Sequence, residues 1–355
     1  MSSIGGIQLG VDSFAETSFD AVKRGSMSEA DRIRDLLEEI ELADQVGLDV
    51  FGVGEHHRKE YLASTPAVIL AAAAARTKRI RLTSAVTVLS SDDPVRVFQD
   101  FATVDLISRG RAEIIVGRGS FTESFPLFGY NLDDYDTLFS EKLELLLKLR
   151  DRTEVHWSGK HRAALTGQGV YPRPFRNPLP IRIGVGGTPQ SLVRAGTLGL
   201  PLVLAIIGGE PHRYRSLLDL YRQAGARAGH PPEKLTVGIH NLGFVADETA
   251  LAADQHFPSY AGAFTAIGRE RGWAAVTRPQ YDATRGPTGA LLVGDPETVA
   301  EKILYENEAL GGIARMTMLL NGGAMPHRQV MHAIELLGTK VAPLIRKELA
   351  GRAAG

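Results

Sequence analysis

The segment RAEIIVGRG, residues 111–119, constrains the fold of this chain more than any other stretch. Its four apolar residues between Ala112 and Val116 show no apolar–polar alternation, so they ask for cover on both faces, as in a parallel sheet wrapped by helices. The run passes straight into Gly117-Arg118-Gly119, which puts the arginine at the carboxyl end of a strand, where α/β sheets place their ligands. Two glycines let a bulky anion approach the backbone, and a guanidinium at that point suits a phosphate. An arginine that closes a strand with an ordinary salt bridge fits the same residues equally well.

The pattern recurs along the chain. Further strands are predicted at residues 7–11, 49–54, 80–89, 181–185, 201–207, 236–245 and 314–320, most of them followed by a helical period. The first helix has Ser28 as its cap, with Asp31 at the third position. Ile33, Leu36, Leu37, Ile40, Ala43 and Val46 lie on one face, and Gly47 stops it. Eight strands separated mainly by helices fit an α/β fold of the (β/α)8 TIM-barrel type, and 355 residues suit one such domain over residues 1–355. A doubly wound sheet would split a chain this long, and no linker marks a division. Residues 151–180, rich in Gly, Pro and Arg, read as an insertion that crosses the barrel, with a hairpin around Ser158-Gly159. Residues 268–290, with Gly268, Gly272, Pro279, Gly286, Pro287 and Gly289, read as an active-site lid loop, with a disordered surface insertion as the alternative.

With 40 basic and 41 acidic residues the net charge is −1, which gives no electrostatic reason to expect nucleic acid or an anionic membrane as partner. No cysteine is present, so disulfides, thiolate nucleophiles and Cys-bound metals are excluded. The opening MSSIGGIQLG lacks the basic and apolar regions of a signal peptide, and no apolar run of spanning length occurs, so a cytoplasmic location is expected.

In a barrel the carboxyl ends of the strands converge on one mouth. That brings together Glu55, His56 and His57, the pair Ala85-Val86, Arg118, and the turn Gly187-Thr188. The helix from Pro189 offers free backbone N–H groups, Thr188 and Ser191 offer hydroxyls, and Arg118 offers a charged fork, which together make a phosphate cradle. The competing reading is a glycine turn with a routine cap. His56 suits a general base or a hydrogen-bond donor, whereas His57 should point to the opposite face. No H-E-x-x-H or comparable ligand set occurs, and no metal site is expected. A Schiff-base lysine at a strand end is also missing, which disfavours an aldolase.

The combination of FGVGEHH at 51–57, TSAVTVLSSDDPVR at 83–96, GRAEIIVGRGSFTESFPLFG at 110–129 and IGVGGTPQSLVRAGTLGLPLVLAII at 183–207 resembles the bacterial luciferase-like flavin-dependent monooxygenases. The resemblance runs from the first strand to the final helix. It implies a TIM barrel that binds FMN at its carboxyl mouth, as a homodimer joined through helices early in the chain. It implies that His56 is catalytic and faces flavin and substrate, that Ala85-Val86 forms a non-proline cis peptide beneath the ring, and that Arg118 contacts the phosphate with Gly187, Thr188 and Ser191. The implied reaction takes reduced FMN from a separate NAD(P)H-dependent flavin reductase and O2 through a C4a-peroxyflavin, to oxygenate a small, largely apolar organic substrate. Gly117 stands where the light-emitting α chain has a reactive cysteine, Phe121 where it has a tyrosine, and Gly187 where it has a glutamate. Val86 replaces an alanine and adds bulk near the ring, and the lid looks shorter. Light emission is therefore not expected. Two alternatives share the fold: F420-dependent hydride transfer, and a non-catalytic flavin-binding protein.

Overall fold

Short β-branched and aliphatic runs, each ending in glycine or a polar turn, form the eight strands that close into a barrel. The computed structural model describes residues 6–18, 28–321, 323 and 325–354. The strands are β1 (Gln8–Ser13), β2 (Val50–Val53), β3 (Arg81–Ser84), β4 (Ala112–Gly117), β5 (Ile181–Val185), β6 (Leu202–Ile206), β7 (Val237–Val245) and β8 (Arg315–Leu319). All pair in parallel in chain order, and β8 pairs with β1 to complete the ring, with Gln8 opposite Arg315 and Asp12 opposite Leu319. This is a (β/α)8 barrel. Beyond residue 18, the first loop lies outside the described residues as far as residue 27.

Strand alternation decides what fills the barrel. At its amino end Gln8, Arg81, Glu113, Arg182 and Arg315 turn inward. Glu113 is buried and paired with Arg182 at 3.1 Å and with Arg315. Those arginines hold its carboxyl well below the usual carboxylate range against the burial that would raise it. Above this floor Gly10, Gly52 and Gly184 carry no side chain, and Val50 O, Asp12 Oδ1 and Val86 Cγ1 stand where a Cβ on each would crowd them.

The outer ring comprises α1 (Glu29–Gln45), α2 (Pro66–Arg76), α3 (Pro94–Ser108), α4 (Tyr135–Asp151), α5 (Pro189–Thr197), α6 (Arg215–Arg227), α7 (Thr249–Glu270) and α8 (Pro296–Ala309). Two more, α9 (His327–Leu336) and α10 (Ala342–Ala354), follow β8. Ser28 caps α1 as the sequence implies, accepting from the Asp31 N–H at 3.0 Å. Among the described residues no helix is long and apolar enough to cross a membrane.

Three stretches differ in detail from the sequence reading. The third strand, expected over 80–89, breaks at Ala85–Val86, whose peptide is cis, and resumes as the two residues Thr87–Val88 paired with β4. The insertion is a hairpin, Glu154–Trp157 against Leu165–Gly169. Lys160 pairs with Asp134 at 2.8 Å and Arg162 with Asp93 at 2.9 Å, which ties its tip to α3 and α4. Within 268–290, α7 runs on to Glu270, and Thr277 with Gln280 makes a capping box that starts a short helix, Arg278–Thr284.

Candidate functional site

Arg118 leaves the end of β4 and reaches the start of α5. Its guanidinium donates to Ser191 Oγ at 3.1 Å and Thr188 Oγ1 at 3.4 Å, and the two hydroxyls lie 2.8 Å apart. Its other terminal nitrogen donates to Asp136 Oδ1 at 2.6 Å, and the Tyr135 ring lies 5.1 Å away. Gly187 has φ +98°, a conformation that glycine adopts at no steric cost, and no atom lies where a Cβ on Gly186 would stand. An arginine fork, two hydroxyls and the positive end of a helix form a receptor for an anionic oxygen group. Asp136 is the carboxylate that meets the same fork.

His56 follows β2 and sits within an aromatic group. Its ring centroid is 4.6 Å from Phe14, 4.5 Å from Tyr61 and 5.2 Å from Phe121. Burial, and then the positive charges of His57 and Arg58, push its pKa down to about 3. At neutral pH this imidazole is uncharged, with one nitrogen that donates and one that accepts. His57 takes the opposite direction and bonds Glu55 Oε1 at 2.8 Å. The other Glu55 oxygen accepts the Val88 N–H at 2.8 Å, and the Glu55 N–H donates to Val86 O at 3.0 Å. Glu55 therefore fixes the segment around Ala85–Val86. The acid–histidine group of Asp35, Glu38 and His327 belongs to the outer helices α1 and α9.

Val86 is only partly buried, and its methyl groups pack over two glycines of the barrel wall. A Cβ on Gly117 would stand 2.6 Å from Val86 Cγ2, and one on Gly184 would stand 2.7 Å from Val86 Cγ1. The two methyl groups thus occupy the hollow that these glycines leave inside the barrel. Close by, His240 on β7 bonds Asp12 Oδ2 at 2.6 Å, the Thr317 hydroxyl donates to the same oxygen, and Phe14 stacks on the His240 ring at 6.3 Å.

The family model for luciferase-like monooxygenases matches residues 16–312. The chain belongs to that family. Among relatives of this luciferase-like monooxygenase, the N-acetyl-S-alkylcysteine monooxygenase of Bacillus subtilis (strain 168) is 31% identical over 294 residues, 77% of this chain and 83% of its own. The solved monooxygenase RslO1 from Streptomyces bottropensis superposes with a TM-score of 0.83 at 24% identity, over 95% of this chain and 99% of that one. An F420-dependent secondary alcohol dehydrogenase, solved with an F420-acetone adduct, has a TM-score of 0.74 at 19% identity, over 96% and 99%. This chain is thus an enzyme of the general flavin-binding oxidoreductase or monooxygenase type.

Several residues at this mouth escape a reading by sequence. Arg58 bonds Glu60 at 3.3 Å, Glu123 at 2.6 Å and Glu270 at 2.5 Å, and its guanidinium lies 4.8 Å from the Phe121 ring. Glu270 is 212 residues away, and no local pattern marks the pairing. Asp136 is equally silent, because an acid early in a helix is commonplace. His240 is the exception: alternation along β7 places it inward with Gly238, a signal available in the sequence.

Proposed function

We propose that this enzyme is an FMN-dependent monooxygenase that uses reduced flavin and O2 to oxygenate a small, largely apolar organic substrate. The observation that carries the reading is the convergence of Arg118, Thr188 and Ser191 at the amino end of α5, on the rim that also bears His56. The residues fit such a cofactor: the Gly186-Gly187 turn offers space without side chains, and the arginine fork offers charge-assisted donors to a phosphate. Gly187, Thr188, Ser191 and Arg118 would hold the phosphate, and Ala85 and Val86 would support the ring from below.

When bound, reduced FMN supplies the electrons that activate O2, so that one oxygen atom enters the substrate and the other leaves as water. The chain's own part is orientation and shielding. His56, uncharged, orients the substrate by donating or accepting one hydrogen bond and relays a proton without holding a full charge. Phe14, Tyr61 and Phe121 form an apolar wall around it and keep out the water that would waste the oxidant. The same rings favour an apolar substrate. Electrons reach the flavin from NAD(P)H through a separate reductase.

Fluorescence titration with FMN, riboflavin and F420, each oxidised and reduced, tests the reading. FMN should bind ahead of riboflavin, most strongly when reduced, and Arg118→Ala should abolish that preference. A preference for F420 would replace oxygenation by hydride transfer. Equal weakening of FMN and riboflavin in Arg118→Ala would remove the phosphate role. Replacing His56 by alanine should abolish product formation while flavin binding persists; unchanged turnover would remove His56 from catalysis.

A further inference from the structure

The amino-terminal end of the barrel, opposite the candidate flavin site, carries a charge that its own acids do not balance. Glu113 is engaged by Arg182 and Arg315. Arg81 projects into the same floor from β3 and has no ion-pair partner among the described residues. Its Nη1 is buried and accepted by nothing. Burial disfavours its charged form, and Arg315, Arg176 and Arg182 repel it, while Glu113 is the acid that favours it. Nη1 is closed off from solvent, so only the remaining nitrogens of this guanidinium can meet a ligand.

Arg81 opens onto a cavity of about 310 Å³, lined by Gln8, Gly47, Leu48, Asp49, Arg79, Arg81 and Arg111. Asp49, the acid on this lining, accepts the Leu9 N–H at 2.9 Å and Arg346 at 3.2 Å through Oδ2. The Gln8 Oε1 accepts Arg315 Nε at 3.0 Å and Nη2 at 2.9 Å, so the remaining polar group of its carboxamide is a donor. Arg111 spends its donors on Ala74, Thr77, Ile80 and Ser108 and adds fixed positive charge. Arg79 uses Nη2 on Asp44 O at 2.7 Å. The cavity therefore presents three guanidinium charges and an amide donor against one carboxylate, which is paired with Arg346.

We propose that this cavity binds a small inorganic oxyanion, phosphate or sulfate in type, with Arg81 as its main contact and Arg79 as a second. Cations are repelled there, and an apolar ligand would strand the donors. The amino-terminal end of such a barrel governs stability, not chemistry, so the ion acts as a structural ligand that favours the native state by mass action.

Phosphate could also act at Arg118, and the experiment separates the two ends. Thermal unfolding of the flavin-free protein is followed in phosphate, sulfate and chloride at matched ionic strength. The melting temperature should rise with phosphate and sulfate beyond its value in chloride. Arg118→Ala should keep this response and Arg81→Gln should lose it. Arg79→Gln, at the more accessible side, should raise the phosphate concentration for half the effect about tenfold, the loss of one hydrogen bond to a charged group. This variant serves if Arg81→Gln does not fold. No oxyanion-specific rise in the wild type, or a rise abolished by Arg118→Ala and kept by both floor variants, overturns the proposal.

Discussion

Val86 and Gly117 behave as one unit. The valine methyls fill space that exists because Gly117 and Gly184 have no side chains. Gly117→Cys, which restores the residue expected of the light-emitting relative, should cost about 1–3 kcal/mol by overpacking. Adding Val86→Ala should recover most of that loss, and a double-mutant cycle from chemical denaturation measures the coupling. Additive losses would mean that the two side chains do not share the hollow. Asp136 offers a second test at this scale. Its carboxylate, 70% exposed, occupies the Arg118 fork that the proposed phosphate would use. Asp136→Asn should tighten FMN binding by a few-fold, in line with a surface ion pair of about 0–1 kcal/mol. Riboflavin binding should stay unchanged, as a fluorescence titration would show. Arg118, Thr188 and Ser191 were legible as a set because a strand end and a helix start both announce themselves locally. Asp136 was not, since its role depends on which way a side chain from the next element turns.

At the scale of elements, the strands were legible almost to the residue because each is a run of apolar residues closed by glycine or a polar turn. The break in the third strand was not, because TSAVTVL reads as continuous and the hydrogen bonds that hold the break come from Glu55, in the loop after β2. The helical parts of 268–290 were missed because glycines and prolines dominate the stretch and mask one capping box. That segment is pinned by α8, where Lys302 Nζ donates to Gly289 O at 2.8 Å and to the carbonyls of Arg285 and Gly286. Lys302→Met should free the turn and hasten proteolysis between residues 284 and 290, which limited digestion would detect. One turn further on, burial raises Glu306 to about 8, against the attraction of Lys302 on its own helix and the Asn241 hydrogen bond from β7. A carboxyl raised in the folded state contributes stability that is fully present below its unfolded value near 4.5 and is lost as pH rises through about 8. Glu306→Gln should flatten the decline in stability between those limits, read as denaturation midpoints across pH.

The whole molecule has a second pH limit on the acid side. Burial lowers His256 to about 4 and, with the charges of His57 and Arg58, His56 to about 3, from an ordinary value of 6.5. Groups depressed in this way lend stability that is present above 6.5 and is lost as pH falls through the folded values. Stability should therefore fall as pH drops from about 6.5 to 4, and His256→Gln should lessen the slope in a midpoint series. Assembly is also testable at this scale. On α2, Ile69, Leu70, Ala73 and Ala74 face the core while Val68 stays 68% exposed, and on α3 Leu106 and Ile107 are 43% and 45% exposed. A homodimer built on these early helices should be disrupted by Val68→Glu, as light scattering would report. A last consequence follows from Arg58. By holding Glu60, Glu123 and Glu270 at once, it knots the strand-two loop, the Phe121 loop and the tail of α7. Opening of the mouth along any of the three should therefore break a pair to the same guanidinium, and should become easier as ionic strength rises.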